Sequence, residues 1–214
     1  MTGELLARCA AVATSTWSDA LDHFHMQGVI SGLALRSGAG RVSGTAVTVK
    51  QNVARFGVYD TDAFAVGHFL DAISFGSMLV IDMGGASVST FGGLAARAAV
   101  LGGASGVIID GGCRDIAEIQ ATRLWLSSRH VTPTSGRHRV RIDGINVPVT
   151  ICGISVAPGD IVIGDETGIV CVGPERLLEV LSVAEELKAQ DGRFADALGQ
   201  GQTFSSISAR LHHL

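Results

Sequence analysis

Residues 78–118, MLVIDMGGASVSTFGGLAARAAVLGGASGVIIDGGCRDIAE, decide the fold of this chain. Two short apolar runs in this stretch, residues 78–82 and 107–110, each stop at a glycine pair, which is typical of buried strands. Residues 94–101 between them are rich in alanine and leucine and end at a further glycine pair, a pattern that favours a helix packed on a sheet. The stretch therefore predicts a strand, a crossover helix and a second strand.

A unit of this kind makes its two strands parallel, so both glycine loops open at the carboxyl edge of the sheet, where ligands of open α/β sheets bind. The first loop contains Gly92, Gly93 and Leu94, and the free N–H groups of the helix start favour a carboxylate or phosphate. The second loop carries Arg114, a planar donor for an oxyanion, and Asp115, an oxygen ligand for a divalent cation. These residues predict a metal-assisted site for a small acidic substrate.

The spacing from Gly93 through Arg114 and Asp115 to Glu118 resembles the G-x20-R-D-x2-E/D signature of a known family. This family contains the 4-hydroxy-4-methyl-2-oxoglutarate aldolases and the related regulators of ribonuclease activity A, and is called RraA-like. The resemblance extends over residues 14–180. Further stretches that agree with the family pattern are SDALD at 18–22, GTAVTV at 44–49, residues 107–115, VAPGD at 156–160 and DETG at 165–168.

The resemblance implies an α/β fold: a β/β/α layered sandwich like the swivelling phosphohistidine domain, with flanking N-terminal and C-terminal helices. It also implies a single domain over residues 1–214, with a core at about 14–180 and a tail at 190–214, and assembly into a homotrimer or homohexamer. From the residues themselves, we find no internal repeat or linker that would divide the chain.

The function implied by the resemblance is that of a pyruvate-forming lyase that depends on Mg²⁺ or Mn²⁺. Such an enzyme cleaves a 4-hydroxy-2-oxo acid, or decarboxylates oxaloacetate, through a pyruvate enolate. Asp115 would hold the metal, Arg114 would bind the keto or enolate oxygen, and backbone N–H groups of loop 92–94 would bind the pyruvyl carboxylate. Glu118 would orient the arginine or a water on the metal. A non-catalytic regulator that binds a ribonuclease E type partner is the alternative.

Simpler roles remain open for several acidic residues. Asp115 is also suited to cap the helix that follows it, and Glu118 to a solvated helix position. Asp82 and Asp110 end their strands at the same sheet edge, where each could bind metal, but we favour a role in capping the glycine turn that follows. Asp19 and Asp22 lie near the start of a predicted helix and favour capping over a contribution to the pocket.

Other reaction classes have little support in the sequence. No histidine lies beside Cys113 to activate it, so a cysteine nucleophile is not expected. The two lysines, Lys50 and Lys188, lie outside the glycine loops, which argues against a Schiff base. His23 and His25 are two residues apart and cannot share an ion on a helix, and we expect no site at His68 or at the terminal His212 and His213.

Composition limits the partners and the compartment. Hydrophobic residues make up 47% and charged residues 17% of the 214 residues, which is ample for a large core. A net charge of −4 gives no electrostatic basis for nucleic-acid binding, and the basic segment 137–141 is read as the solvated face of a hairpin strand. The four cysteines form no C-x-x-C pair, which predicts a reducing cytoplasm. We find no signal peptide and no membrane span.

The remaining pattern predicts mostly short elements. We expect a first helix at residues 2–12, a second helix capped within 14–18, a strand at 41–53, a helix at 56–77 and a helix that continues after Glu118 to about Ser127. Residues 132–134 mark the exit of another strand. An antiparallel β meander follows at 139–172, and then a final helix at 175–189 with a helical or loose tail.

Overall fold

The computed structural model describes residues 2–211, so the predictions for His212 and His213 lie outside the described residues. Within this range, twelve strands form one ten-stranded sheet and one two-stranded sheet. The strands are β1 (Val29–Ile30), β2 (Ala34–Ser37), β3 (Val42–Val53), β4 (Ser77–Asp82), β5 (Ser89–Phe91), β6 (Gly106–Cys113), β7 (Trp125–Val131), β8 (Val140–Ile145), β9 (Val149–Ile151), β10 (Ile154–Val156), β11 (Ile161–Gly164) and β12 (Ile169–Val172).

Helices cover one face of the large sheet. The α-helices are α1 (Gly3–Ala10), α2 (Thr14–His23), α3 (Val66–Leu70), α4 (Gly93–Leu101), α5 (Ile116–Thr122), α6 (Leu177–Gly199) and α7 (Phe204–Leu211), and a 3-10 helix covers Thr61–Phe64. No helix of the described range is long and apolar enough to cross a membrane. All four cysteines are free.

The centre of the large sheet is parallel. Its strands follow the order β1-β12-β11-β3-β4-β6-β7-β2, with β5 added beside β6 and β8 beside β3. The pairs β3–β4, β4–β6 and β6–β7 are parallel, whereas β2, β8, β11 and β12 pair antiparallel with their neighbours. The predicted strand-helix-strand unit is therefore confirmed, and the carboxyl ends of β4 and β6 meet at one edge.

Successive side chains of the central strands point to opposite faces and bury two separate apolar layers. Leu79 and Ile81 belong to the layer under α4 and α5, together with Val107 and Ile109. The alternate residues of the same strands, including Val80 and Ile108, pack against the β9–β10 hairpin. The order hairpin, sheet, helices is the predicted β/β/α sandwich, which is confirmed. A third apolar cluster joins α1, α2 and α6 to β11 and β12.

The helix predicted at residues 56–77 is wrong. This segment holds only the 3-10 helix and the five-residue α3. Gly57 and Gly76 adopt φ values of +88° and +82°, and Ala65 between the two short helices has ψ +66°, so the chain leaves the helical conformation three times. The apolar spacing that predicted a helix here instead serves several short turns packed on the sheet.

The helix that follows Arg114 ends earlier than predicted. α5 stops at Thr122 because Arg123 adopts the left-handed conformation, and the Thr122 hydroxyl donates to the Ile119 carbonyl. The predicted run to Ser127 is therefore wrong, and Trp125 already lies in β7. Sheet pairing of Leu126 and Ser127 with β6 outweighs the helical spacing of the apolar residues.

The strands of the predicted meander exist, but their pairing differs. β9 and β10 form a separate hairpin, and β8 and β11 both pair with β3, so the region is not a simple meander. The last predicted helix is longer than expected, since α6 passes through Gly192 to Gly199. The tail is helical over residues 190–199 and 204–211 with a turn between them, and α7 packs on α6 through Phe194, Ala197 and Ile207.

The start of α2 is capped by a distant residue. The N-cap is Ala13, and the predicted local caps make no such bond. Instead the buried Asp165 accepts hydrogen bonds from the Thr14 N–H at 2.9 Å and the Thr14 hydroxyl at 2.6 Å. Asp19 and Asp22 are exposed on α2 and cap nothing, so their predicted capping role is wrong.

Candidate active site at the carboxyl edge of the sheet

The strand β6 carries the site further out than the sequence predicts. The second apolar run predicts a strand that stops at Asp110, yet the strand continues through Gly111 and Gly112 to Cys113. Both glycines are needed for close packing: a Cβ at Gly112 would lie 2.6 Å from the Val88 carbonyl oxygen, and one at Gly111 would overlap the Met83 side chain. The added residues place Arg114 and Asp115 beyond the sheet edge.

The glycine loop before α4 lies directly beside these two residues. β5 pairs in parallel with β6, so that Gly92 and Gly93 follow β5 as Arg114 and Asp115 follow β6. The Gly93 N–H donates to Asp115 Oδ2 at 3.3 Å, and Arg114 Nε lies 3.5 Å from the same oxygen. A Cβ at Gly92 would lie 2.5 Å from Asp115 Oδ2. The structure thus brings the predicted arginine, carboxylate and glycine loop together.

Asp115 holds an uncommon backbone conformation. Its φ of 56° and ψ of 46° place it in the left-handed region, where aspartate is tolerated at a cost of about 1 kcal/mol. It precedes α5 but its side chain makes no capping hydrogen bond to that helix. The simple capping role considered for Asp115 is therefore wrong, and its carboxylate points to the start of α4 instead.

Glu118 lies on the other side of the glycine loop. It is exposed in the first turn of α5, and a Cβ at Gly93 would overlap its Oε2 and lie 2.6 Å from its Cβ. The starts of α4 and α5 are therefore so close that only glycine fits at position 93. Glu118 therefore lies against the glycine loop and does not line the cavity beside Arg114 and Asp115.

A cavity of about 330 Å³ opens beside Arg114 and Asp115. One wall is formed by β5, the glycine loop and the first turn of α4. The opposite wall is formed by the 3-10 helix and by the loop between β7 and β8. The lining residues are Thr61, Phe64, Val66, Ser89, Thr90, Phe91, Gly92, Leu94, Ala95, Arg114, Asp115, Ser135 and Arg137.

Sequence reasoning missed the residues of the second wall. The sequence predicts that Arg137 belongs to a solvated hairpin strand, which is wrong: it lies in the loop before β8 and lines the cavity. Thr90 is buried in the first wall, and its hydroxyl has no hydrogen-bond partner among the described residues. The signal that could have found this wall is the concentration of arginines at 137–141, which is unusual in a chain of net negative charge.

The donor set fits a hard divalent cation. Asp115 offers a partly exposed carboxylate in the cavity, whereas the Glu118 carboxylate lies against Gly93, outside the cavity lining. Residues 2–211 contain no group of three or more His, Cys, Asp and Glu arranged to hold a metal ion. One or two carboxylates, with water and substrate oxygens at the other positions, is the way in which proteins bind Mg²⁺.

Asp82 and Asp110 lie on the opposite face of the sheet, away from this cavity. Asp82 accepts from the Gly84 N–H at 2.9 Å, which confirms its predicted role in the glycine turn. Its second oxygen accepts from Lys50 Nζ at 2.6 Å and from the Thr150 N–H at 3.0 Å. Asp82 therefore also ties β9 to the sheet.

Asp110 serves the hairpin rather than a glycine turn. Its carboxylate accepts from Arg129 Nε at 2.6 Å and from the Cys152 N–H at 2.8 Å, so the side-chain capping role that we favoured is wrong. The Asp110 backbone carbonyl, not its side chain, accepts from Gly85 N–H. A wide second cavity of about 760 Å³ lies over these pairs. Both aspartates are thus structural links between the sheet and β9–β10.

The remaining reactive groups do not face the first cavity. Cys113 is buried, and burial raises the pKa of its thiol, while the Ser128 hydroxyl lies 3.3 Å from its sulfur. The expectation that Cys113 is not a nucleophile is consistent with this environment. Lys50 is engaged by Asp82 on the opposite face of the sheet, and His68 is exposed outside the cavity lining.

Comparison with known proteins places the chain in a family. The RraA-like family model, described as Aldolase/RraA, matches residues 14–171. An uncharacterized protein of Methanocaldococcus jannaschii is 32% identical over 78% of this chain and 77% of its own length. A Halalkalibacterium halodurans protein named "Putative 4-hydroxy-4-methyl-2-oxoglutarate aldolase" is 28% identical over 88% of this chain and 85% of its own. The crystal structure of an uncharacterized protein from Pseudomonas syringae superposes with a TM-score of 0.88 at 26% identity, covering 98% of this chain and 95% of that one. The chain belongs to the RraA-like family.

Proposed function

We propose that this protein is a lyase that depends on Mg²⁺ or Mn²⁺ and forms pyruvate by cleaving a carbon–carbon bond of a 2-oxo acid. The substrates that we propose are a 4-hydroxy-2-oxo acid of the 4-hydroxy-4-methyl-2-oxoglutarate type and oxaloacetate. The observation that carries the proposal is the meeting of Arg114, Asp115 and the Gly93 N–H around a single carboxylate oxygen beside a cavity. The name of the Halalkalibacterium relative supports the reaction class.

Both reactions leave the same product-forming species, the enolate of pyruvate, and the catalytic task is to stabilise its oxygen. A divalent cation held by Asp115 would act as a Lewis acid toward the 2-oxo acid, and is worth several kcal/mol in such sites. Arg114 is half exposed, its shortest approach to Asp115 is 3.5 Å at Nε, and its guanidinium makes no hydrogen bond with any residue of the described range. Its terminal nitrogens therefore remain available to donate charge-assisted hydrogen bonds to the keto or enolate oxygen.

The start of α4 is suited to the pyruvyl carboxylate. The first N–H groups of a helix have no partner within the helix, and those of Leu94 and Ala95 follow the glycine pair at the cavity wall. The Gly93 N–H is shared, because it already donates to Asp115. We propose that loop 92–94 binds the substrate carboxylate and fixes the position of Asp115 at the same time.

Glu118 has a positioning role in this proposal. It contacts Gly93 across the α4–α5 junction and does not line the cavity. Its carboxylate also lies at the positive end of the α4 dipole, which favours a negative charge there. We propose that Glu118 holds the two helix starts at the separation that Arg114 and the glycine loop require.

The test is the release of pyruvate by the purified protein from oxaloacetate and from 4-hydroxy-4-methyl-2-oxoglutarate, with Mg²⁺ and then with excess EDTA. We expect release that depends on the metal and falls by at least about a hundredfold in Asp115→Asn and Arg114→Gln, as for loss of a main electrostatic group. Arg141→Gln is the matched control, since Arg141 pairs with Asp143 outside the cavity. Undiminished rates in either site variant would refute the residue roles.

The second candidate function is that of a protein-binding regulator, since the family description names RraA beside aldolase. A regulator that binds a ribonuclease E type partner would need an exposed apolar surface. Leu94 and Leu101, seven residues apart on α4, are 81% and 88% exposed and fall on one stripe of the helix. The same stripe would serve the homotrimer or homohexamer that we propose for this chain. Leu101→Glu distinguishes an oligomer contact from a regulator surface. Loss of self-association in sedimentation points to the oligomer, whereas loss of ribonuclease capture alone points to the regulator.

A further inference from the structure

The basic segment 137–141 contains one arginine that the fold does not use. The guanidinium of Arg139 stacks on Phe56, with its carbon 4.7 Å from the ring centre. Arg141 donates from Nε to Asp143 Oδ1 at 2.7 Å. The side chain of Arg137 is exposed, lines the cavity beside Arg114, and has no ion pair or hydrogen bond with any residue in the range 2–211.

The backbone of Arg137 is nevertheless held firmly against the cavity wall. Its N–H donates to the Ser135 hydroxyl at 3.2 Å. Gly136 packs so closely that a Cβ there would lie 2.6 Å from the Phe64 ring of the 3-10 helix. The next residue, His138, adopts the left-handed conformation with φ 61°. The backbone at Arg137 is therefore fixed, while its guanidinium makes no ion pair or hydrogen bond in the described range.

The imidazole of His138 contacts the segment that leads into the 3-10 helix. Its Nδ1 lies 3.3 Å from the Tyr59 carbonyl oxygen, and its Nε2 lies 3.3 Å from the Thr61 hydroxyl oxygen. Thr61 itself lines the cavity. The loop and the 3-10 helix thus form one wall, and this wall is separate from the α4–α5 wall that carries Arg114.

The charge of the cavity favours a ligand with two negative charges. Its charged lining residues are Arg114, Asp115 and Arg137, so two cations face one anion before any divalent metal is added. A 2-oxo acid with a single carboxylate uses the helix start and Arg114 and leaves Arg137 without a partner. A second carboxylate at the far end of the substrate would supply that partner in the planar geometry that arginine prefers.

We propose that Arg137 binds the distal carboxylate of the substrate, so that the site selects dicarboxylic 2-oxo acids over monocarboxylic ones. This inference rests on the proposed function for the identity of the near end of the ligand. It adds a specificity-determining residue from a segment outside the Gly93 to Glu118 signature.

The test compares two ligands that differ in one group. 2-Oxoglutarate and 2-oxopentanoate are five-carbon 2-oxo acids that end in a carboxylate and a methyl group respectively. Isothermal titration calorimetry of the full chain with Mg²⁺ should show 2-oxoglutarate binding about tenfold to a hundredfold more tightly, the range for one charge-assisted hydrogen bond. In Arg137→Gln this preference should disappear while the affinity for 2-oxopentanoate stays the same.

Two further variants separate a specific role from a structural one. Arg137→Lys keeps the charge but not the planar fork, so it should retain part of the preference. Arg141→Gln removes a charge from the same segment outside the cavity and should retain all of it. Equal affinity of the unmodified protein for the two acids, equal weakening of both by Arg137→Gln, or failure to bind either acid would overturn the proposal.

The preference between the two ligands tests the role of Arg137, whereas the release of pyruvate tests the proposed function, so the two can fail separately. A clear preference for 2-oxoglutarate that is lost in Arg137→Gln supports the inference even if no substrate yields pyruvate. Conversely, metal-dependent release of pyruvate without any preference for the dicarboxylic acid overturns the role of Arg137 and leaves the lyase standing.

Discussion

Replacing Gly93 by alanine tests whether the contact between α4 and α5 sets the geometry of the site. The new Cβ would overlap Glu118 Oε2, which can swing away, but it would also lie 2.6 Å from Glu118 Cβ, which cannot move without the helix. An ordinary contact begins at 3.4 Å, so α4 and α5 must separate by about 3.4 − 2.6 = 0.8 Å. A misplacement of about 1 Å in an active site costs about a hundredfold in rate.

We therefore expect Gly93→Ala to lower kcat/KM for pyruvate release by about tenfold to a hundredfold. Overpacking at the same contact should lower the free energy of unfolding by about 1–3 kcal/mol, as measured by urea denaturation. Adding Glu118→Ala removes the carboxylate and Cδ overlaps but leaves the Cβ contact, so the double variant should recover part of the lost stability and none of the lost rate, because the positioning carboxylate is gone.

Gly192→Ala is the matched control for this substitution. A Cβ at Gly192 meets no atom within 4 Å, and the residue lies inside α6 far from the cavity. We expect unchanged kinetics and a gain of about 0.5–1 kcal/mol in the free energy of unfolding, the usual effect of alanine in a helix. If Gly93→Ala behaves like Gly192→Ala, the helix contact does not position the site and the reasoning is wrong.

Two other predictions concern stability away from the cavity. Asp110→Ala leaves Arg129 and the Cys152 N–H without their buried partner. It should lower the free energy of unfolding by about 3 kcal/mol, while the rate of pyruvate release per folded molecule stays unchanged. A lower rate in fully folded protein would show that this face of the sheet takes part in the reaction. For Asp165, burial alone would raise the pKa, but hydrogen bonds from Thr14, Thr167 and Gly168 outweigh it and hold the pKa below the usual range of an aspartate. A carboxylate whose pKa is lower in the native state than in the unfolded state stabilises the protein above the unfolded pKa, and this stabilisation is lost as the pH falls through the native pKa. The stability lost in Asp165→Asn should therefore be greatest at neutral pH and shrink below about pH 4. A loss that is independent of pH in urea denaturation from pH 2.5 to 7 would contradict this origin.

The central unit could be predicted because its signals are local. The glycine pairs that bound residues 78–82 and 94–101 fall within a few residues of the elements that they end, and the parallel pairing follows from the helix between them. The meeting of Arg114, Asp115 and Gly93 then follows from the shared sheet edge. The local pattern failed at Gly111–Gly112, where close packing of Met83 and Val88, and not a turn, requires glycine.

The parts that could not be predicted depend on residues distant in the sequence. Thr14 and Asp165 are 151 positions apart, so nothing near the start of α2 indicates what caps it. Arg137 belongs to an alternating segment that is typical of a solvated strand, and the loop reaches the cavity only because His138 turns and Gly136 fits against Phe64. Asp110 likewise finds Arg129 and Cys152 only when the hairpin folds onto the sheet.

The central claim is that this cavity stabilises the enolate of pyruvate. It is tested most directly by following deuterium incorporation into the methyl group of pyruvate in D₂O by proton NMR, since this exchange requires the enolate and does not depend on which larger acid is the natural substrate. We expect the purified protein with Mg²⁺ to accelerate the exchange well above a protein-free blank with the same metal. Excess EDTA or Asp115→Asn should return it to the blank. Exchange at the blank rate with the unmodified protein, or equal exchange with Asp115→Asn, would contradict the account.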